Sequence, residues 1–403
     1  MPVAPSATAR TRTQPAQDTH GGSASIAILA VAAFVIVTTE FLIVGLLPAL
    51  ARDLRISVAS AGQLVTLFAV VVMLCGPLLT ASLAHLERKR LFIVILVIFA
   101  LSNALAALAW NIWILAVARL VPALALPVFW GTASETAAQI AGPQKSGRAV
   151  STVYLGISAA MLFGIPLGTL VSEAVGWRAA FGLLALLSLL SLLVAVLIAA
   201  VVPRVRSAPS GGMAAQARIL KSPFFLANVA LSVLVFTAMF TGYTYLAEML
   251  EKSAGIAPAH VGWWLMGFGA VGLVGNWLGG LWVDQKPLAT TALFCAILAL
   301  GMAGSMLLSQ AGWAFALAMA VWGIANTALY PICQIRVMKA ASGAQALAGT
   351  LNVSAANGGI ALGAAVGGAA LSSWGAGQVG YLAAAIALLA VVMAALVARL
   401  SRR

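Results

Sequence analysis

The chain has 403 residues, 63% of them hydrophobic and 8% charged, with a mean hydropathy of +1.07 and a formal net charge of +13. That composition excludes a soluble globular domain. The excess of basic residues suggests nucleic acid only until their positions are read, and those positions point to a membrane.

Twelve apolar runs near 20 residues long are predicted, at about 26–48, 60–83, 91–110, 112–134, 150–174, 179–202, 223–249, 260–283, 288–309, 312–334, 346–373 and 376–398. Each is long enough to cross a hydrocarbon core of about 30 Å. Apolar residues follow one another without alternation, as in spanning helices and unlike barrel strands. The expected fold class is an all-α membrane protein of twelve transmembrane helices in two six-helix halves. The expected segments are a disordered tail at 1–24, a first half at 25–202, a linker at 203–222 and a second half at 223–403.

With the N-terminus inside, 17 of the 22 Lys and Arg residues fall in inner segments. Arg52, Arg55, Arg178 and Lys252 lie outside, and Arg119 lies within a span. This asymmetry predicts both termini in the cytoplasm. Nucleic acid is not an expected partner. Cys75, Cys295 and Cys333 sit in or at the ends of apolar spans without ligand-like spacing, so packing is their expected role. No phosphate-binding loop and no His/Cys/Asp/Glu cluster is present, so the reading is no enzyme, no ATP, no metal and no cofactor.

Along the chain, the first informative stretch is Thr38-Thr39-Glu40-Phe41, running to Gly45-Leu46-Leu47-Pro48. A carboxylate at the depth of Glu40 costs several kcal/mol unless it faces a wet cavity, finds a cation or stays protonated. Proton handling or substrate contact is the expected role, against a structural acid neutralised by one neighbour. The second span ends in a basic turn containing Arg88, Lys89 and Arg90, which reads either as a topology anchor or as a gate latch. In the fourth span, Arg119 lies at the same depth as Glu40, roughly 10–12 Å from the outer edge at 1.5 Å rise per residue. It either pairs with Glu40 or snorkels outward. Glu135 lies lower in that span, as a functional acid or as a marker of the inner helix end.

The fifth span carries Gly156, Gly164, Pro166 and Gly168, a packing and hinge pattern. Beyond the linker, Gly280 and Asp284 close the eighth span as the basic turn closes the second. A repeated six-helix half suits alternating access about a midplane site. Polar side chains of the second half cluster as Thr241, Tyr243, Thr244 and Tyr245, then Trp322, Asn326 and Tyr330, then Asn352 and Asn357. As a set they suit neutral, hydroxyl-rich or planar ligands, while singly each also reads as a helix–helix hydrogen bond.

These motifs together resemble the Major Facilitator Superfamily, in its drug/proton antiporter branch and the sugar efflux (arabinose efflux permease) group. The resemblance spans nearly the whole chain beyond the tail. It is carried by Thr38-Thr39-Glu40-Phe41 with Gly45-Leu46-Leu47, by Glu87-Arg88-Lys89-Arg90-Leu91, by Phe129-Trp130 with Ala133-Ser134, and by Gly164-Ile165-Pro166-Leu167-Gly168. The chain departs from the pattern at Thr80 and Ala84, where the 2–3 loop motif has glycine and aspartate, and at Ala123 and Pro127, where glycines follow the helix 4 arginine. The resemblance implies a bacterial inner (plasma) membrane protein with a central cavity lined by helices 1, 4, 7 and 10. It implies export of a small-molecule substrate driven by protons, and a monomer in the lipid bilayer is expected. Glu40 and Arg119 are the expected coupling residues. Thr39, Trp130, Tyr243, Tyr245, Trp322 and Asn326 are the expected substrate contacts. Sugars are the first substrate class. The alternatives are a purine nucleoside or chloramphenicol-like drug exporter, and an uncoupled facilitator or transporter-like receptor.

Overall fold

A computed structural model describes residues 19–83, 86–142, 145–197, 217–341 and 345–400. Twelve helices among them are long and apolar enough to span a membrane. In order they are α1 (Ser23–Leu54), α2 (Val58–Thr80), α3 (Arg88–Ala107), α4 (Ile112–Ala141), α5 (Arg148–Val175) and α6 (Trp177–Val194). After the linker come α7 (Pro223–Lys252), α8 (Pro258–Val283), α9 (Pro287–Leu307), α10 (Trp313–Lys339), α11 (Leu347–Trp374) and α12 (Ala376–Leu400). The first helical stretch already begins at Thr19, inside the expected tail. Most of the expected linker, and Ala84, lie outside the described residues, with Ala217–Lys221 forming a single 3-10 turn before α7.

A helix satisfies its own backbone, which is what hydrocarbon demands of a spanning segment. Its ends still need partners. Asn111 accepts from the Ile114 amide at the start of α4, and Ser222 accepts from the Phe225 amide at the start of α7. Pro223, Pro258 and Pro287 occupy first turns, where a missing N–H costs nothing. Between α5 and α6 the chain reverses at Gly176, with φ of 95°, a backbone conformation that glycine adopts without strain.

Arg52 lies at the end of the bundle opposite Ser23 and Leu400. Exposed Trp110, Trp113, Trp313 and Trp374 ring that end, as aromatics do at a membrane–water boundary. Contacts between the first six and last six helices are concentrated from the Arg52 end to mid-depth. There α2 packs along α11 and α5 along α8. Glycines permit the approach: a Cβ at Gly262 would press on Leu170 and the Pro166 carbonyl, and one at Gly269 on the Met161 carbonyl. The first turns of α5, Ser146–Ala159, pack instead on α1 and α4.

Helix α5 changes pitch mid-way. Residues Ala160–Gly164 form a π-helical turn immediately before Pro166, which cannot donate to Leu162. The irregularity sits where α5 stops serving the first half alone and begins to touch α8.

Candidate functional site

Arg119 on α4 is buried beside α1. Its Nη1 donates to the Thr39 carbonyl at 2.5 Å and its Nη2 to the Glu40 carbonyl at 2.7 Å. Its guanidinium lies 4.7 Å from the Phe68 ring centroid on α2, a cation–π contact. The arginine therefore does not snorkel, and no ion pair joins it to the Glu40 carboxylate within 4 Å. It holds the α1 backbone at the acid and acts on the Glu40 charge through space.

The Glu40 side chain remains partly open, with no hydrogen bond or ion pair among the described residues. Tyr330 on α10 lies within electrostatic range of both Glu40 and Tyr243, and its hydroxyl is buried without a partner. Around this point an aromatic train crosses from one half to the other. Phe41 on α1 meets Phe240 on α7 at 5.7 Å, Phe240 meets Tyr243 at 5.6 Å, and Tyr243 stacks on Phe268 of α8 at 5.7 Å. Phe268 then stands edge-on to Trp322 at 5.6 Å. Tyr243 Oη approaches Met161 Sδ at 3.8 Å, tying α7 to the π-helical turn of α5.

The other expected contacts divide. Asn326 is buried with an unpartnered Oδ1, and Trp322 is fully buried with an unpartnered Nε1. Trp130 is half-buried, packed on Phe129 at 5.2 Å and on half-exposed Tyr154 at 5.4 Å. Thr39 faces the packing of the first half: its hydroxyl donates to the Val35 carbonyl and accepts from Asn103 Nδ2 at 3.0 Å. Tyr245 is wholly buried and donates to the Ala364 carbonyl at 2.7 Å. A Cβ at Gly62 on α2 or at Gly368 on α11 would strike its hydroxyl, so it wedges α2 against α11.

The basic turn separates into three environments. Arg88 is buried and pairs with Glu135 of α4 at 2.7 Å, which ties two helices of one half. Lys89 borders a small gap of about 30 Å³ between α1, α3 and α4. Arg90 is exposed and pairs with Glu87 at 3.2 Å. Asp284 pairs with Lys339 at 2.7 Å within the second half, and a Cβ at Gly280 would meet nothing. Among the glycines of α5, a Cβ at Gly156 would strike the Ala30 carbonyl, one at Gly164 the Thr38 hydroxyl and one at Gly168 the Leu42 side chain. All three admit α1. No group of three metal-ligating side chains occurs among the described residues.

Sequence reasoning missed Asn103, Phe68 and the burial of Arg336. Asn103 was detectable as a lone amide in apolar α3. Arg336 was counted as an inner-surface charge, but it is fully buried in α10. It donates to the Asn228 carbonyl at 3.0 Å, Ser232 Oγ at 2.7 Å and Thr291 Oγ1 at 3.1 Å.

Comparison with known proteins decides the family. The Major Facilitator Superfamily pattern matches residues 29–352. This chain belongs to the Major Facilitator Superfamily. The inner membrane transport protein YdhP of Escherichia coli (strain K12) is 36% identical to it over 378 residues, 91% of this chain and 95% of the relative. A probable sugar efflux transporter of Helicobacter pylori (strain ATCC 700392 / 26695) is 30% identical over 364 residues, covering 90% and 92%. Among solved structures, a D-xylose-proton symporter superimposes with a TM-score of 0.75 at 16% identity, covering 94% of this chain and 97% of that one. A bacterial homolog of the human lysosomal transporter Spinster, inward-facing and unoccupied, also scores 0.75 at 16% identity, covering 95% and 96%. At that identity both show the fold. This facilitator is thus a multi-pass membrane transporter of twelve helices and not an enzyme.

Proposed function

We propose that this facilitator exports small neutral solutes, sugars first among them, in exchange for protons. The observation that supports it is the state of Glu40. The carboxylate is partly open between the halves and free of direct partners, while Arg119 fixes its backbone. An acid so held exchanges a proton with whatever aqueous space reaches it. With both termini cytoplasmic, as the charge asymmetry indicates, the structure is closed at the outer end. Glu40 then takes a proton when the outer end is open and releases it inside. Substrate held by Asn326, Tyr243 and Tyr330 favours the state in which Glu40 is unprotonated, so the two ligands drive opposite transitions. The relatives named as probable sugar efflux transporters favour a sugar.

The aromatic train supports a second reading, a planar nucleoside or drug substrate, because stacked rings bind flat ligands without many hydrogen bonds. The test for both is efflux of labelled arabinose, inosine and chloramphenicol from proteoliposomes, with and without an imposed pH gradient. Gradient-driven movement of one compound names the class. Glu40→Gln is expected to abolish the response to the gradient while leaving substrate binding. A Glu40→Gln protein that still concentrates substrate against the gradient rules out Glu40 as the coupling group.

A further inference from the structure

We infer that Asn103 of α3 is a positioning residue: through the Thr39 hydroxyl it holds α1 in the rotation that turns the Glu40 carboxylate toward the second half. Asn103 is buried in an apolar helix, where an amide without partners is costly. Its Nδ2 donates to Thr39 Oγ1 at 3.0 Å, with a longer contact of 3.5 Å to Ser188 Oγ on α6. The Thr39 hydroxyl spends its own proton on the Val35 carbonyl and is left as an acceptor toward α3.

Arg119 does not choose the rotation by itself. Its fork grips the Thr39 and Glu40 carbonyls, and a backbone carbonyl is the same group at every residue. An α1 moved on by one position, about 100° and 1.5 Å, would still offer that fork two successive carbonyls. Only a side chain distinguishes one position from the next. Of the three polar side chains mid-way along α1, Thr38 bonds the Phe34 carbonyl of its own helix. Glu40 has no hydrogen bond among the described residues, and Thr39 alone bonds another helix. The glycines of α5 let α1 come close but carry no side chain to bond it. With Thr39 turned to α3, Glu40 stands about 100° further round, within electrostatic range of Tyr330 on α10 as well as of Arg119 on α4. Phe41, one step beyond, meets Phe240 of α7. The inference rests on the coupling reading only for its consequence in transport; the rotation of α1 is independent of it.

The experiment is the rate at which an apolar carbodiimide labels the protonated Glu40 carboxyl. It is read by peptide mass spectrometry on the full chain in proteoliposomes, with Glu40→Gln as the blank. Rates are compared on the acid plateau of each variant, so that a change in protonation does not enter. Asn103→Leu and Thr39→Val each remove one end of the bond at nearly constant volume. Each is expected to slow labelling roughly two- to five-fold, the ratio that one neutral hydrogen bond confers. Thr39→Ser, which keeps the acceptor, labels at the parental rate. The double variant is no slower than either single one, because both remove the same bond. Asn103→Leu also lowers gradient-driven efflux while leaving substrate-for-substrate exchange without a gradient at the parental rate, a split that general loss of structure does not produce. If Glu40→Gln still couples efflux to the gradient, the coupling reading fails, and the labelling rates still decide the rotation. Parental labelling in both Asn103→Leu and Thr39→Val overturns the inference. So does a double variant slowed by the product of the two single factors, or a Thr39→Ser slowed as much as Thr39→Val.

Discussion

Arg119 and Arg336 are buried guanidiniums on the fourth helix of their respective halves, and each donates to carbonyls of the first helix of that half. For Arg119 these are Thr39 and Glu40 of α1, and for Arg336 it is Asn228 of α7. The difference is the counter-charge. Arg119 has an acid beside it whose carboxylate is left partly open, and a Phe68 ring at its face. Arg336 spends its two terminal nitrogens on neutral oxygens, Ser232 and Thr291 among them, while its buried Nε has no partner and no carboxylate lies within 4 Å among the described residues. A buried cation stabilised by dipoles alone is a fastener, because nothing near it changes charge. A buried cation beside a free acid can be switched. On the proposed reading, the first half carries the charge chemistry, and the second supplies aromatic surface and amides.

The comparison breaks first at Arg119. Arg119→Ala strips two hydrogen bonds and the ring contact, leaving α1 unfastened at the acid. We expect a stability loss of about 3 kcal/mol or more and loss of gradient-driven efflux. Arg119→Lys should rescue little, because one ammonium cannot bridge two successive carbonyls while lying over a ring. Thermal unfolding and proteoliposome efflux check both. Efflux by Arg119→Lys at the parental level would show that charge alone suffices there.

At Arg336 the expected effect is smaller and of another kind. Arg336→Met should cost about 1–3 kcal/mol through unsatisfied oxygens on α7 and α9, yet the folded fraction should still respond to a pH gradient. If efflux per folded molecule loses its gradient dependence, the division between the halves fails.

Much of this was legible before any coordinates. Hydropathy alone gives twelve spans, because hydrocarbon permits so few alternatives. Glu40 and Arg119 stood out because charges at that depth are rare. Equal depth, however, does not specify which atoms meet. Arg119 reaches the Glu40 carbonyl and not its carboxylate, a choice fixed by the rotation of α1, and α1 is so uniformly apolar that its periodicity carries no rotation signal. Arg336 was misread for a related reason. It lies three residues from Lys339 at a helix end, and charge counting treats the two alike, although Lys339 reaches Asp284 at the surface and Arg336 points into the bundle. Tyr245 was grouped with Tyr243 by proximity in sequence. The break after Tyr243, where a new helical turn starts at Leu246, sends the two rings to different places.

The last comparison is between two glycines that the sequence placed in different motifs, the packing pattern of α5 and the close of α8. Gly156 lies where α5 touches α1, and a methyl group there meets the Ala30 carbonyl and the Phe34 amide, neither of which yields without moving the helix. Gly156→Ala should cost about 1–3 kcal/mol as overpacking does, and slow efflux along with stability. Gly280 lies in α8 with open space around its Cα. There the only consequence of an added methyl is the helix propensity that alanine has over glycine, so Gly280→Ala should be neutral or stabilising by up to about 1 kcal/mol. Transport rates in matched lipid separate two explanations for the second glycine. Unchanged efflux makes it a bystander of helix composition. Slowed efflux in a stabilised protein means that α8 closes onto another helix in the opposite conformation, at the end of the molecule where the halves now make few contacts.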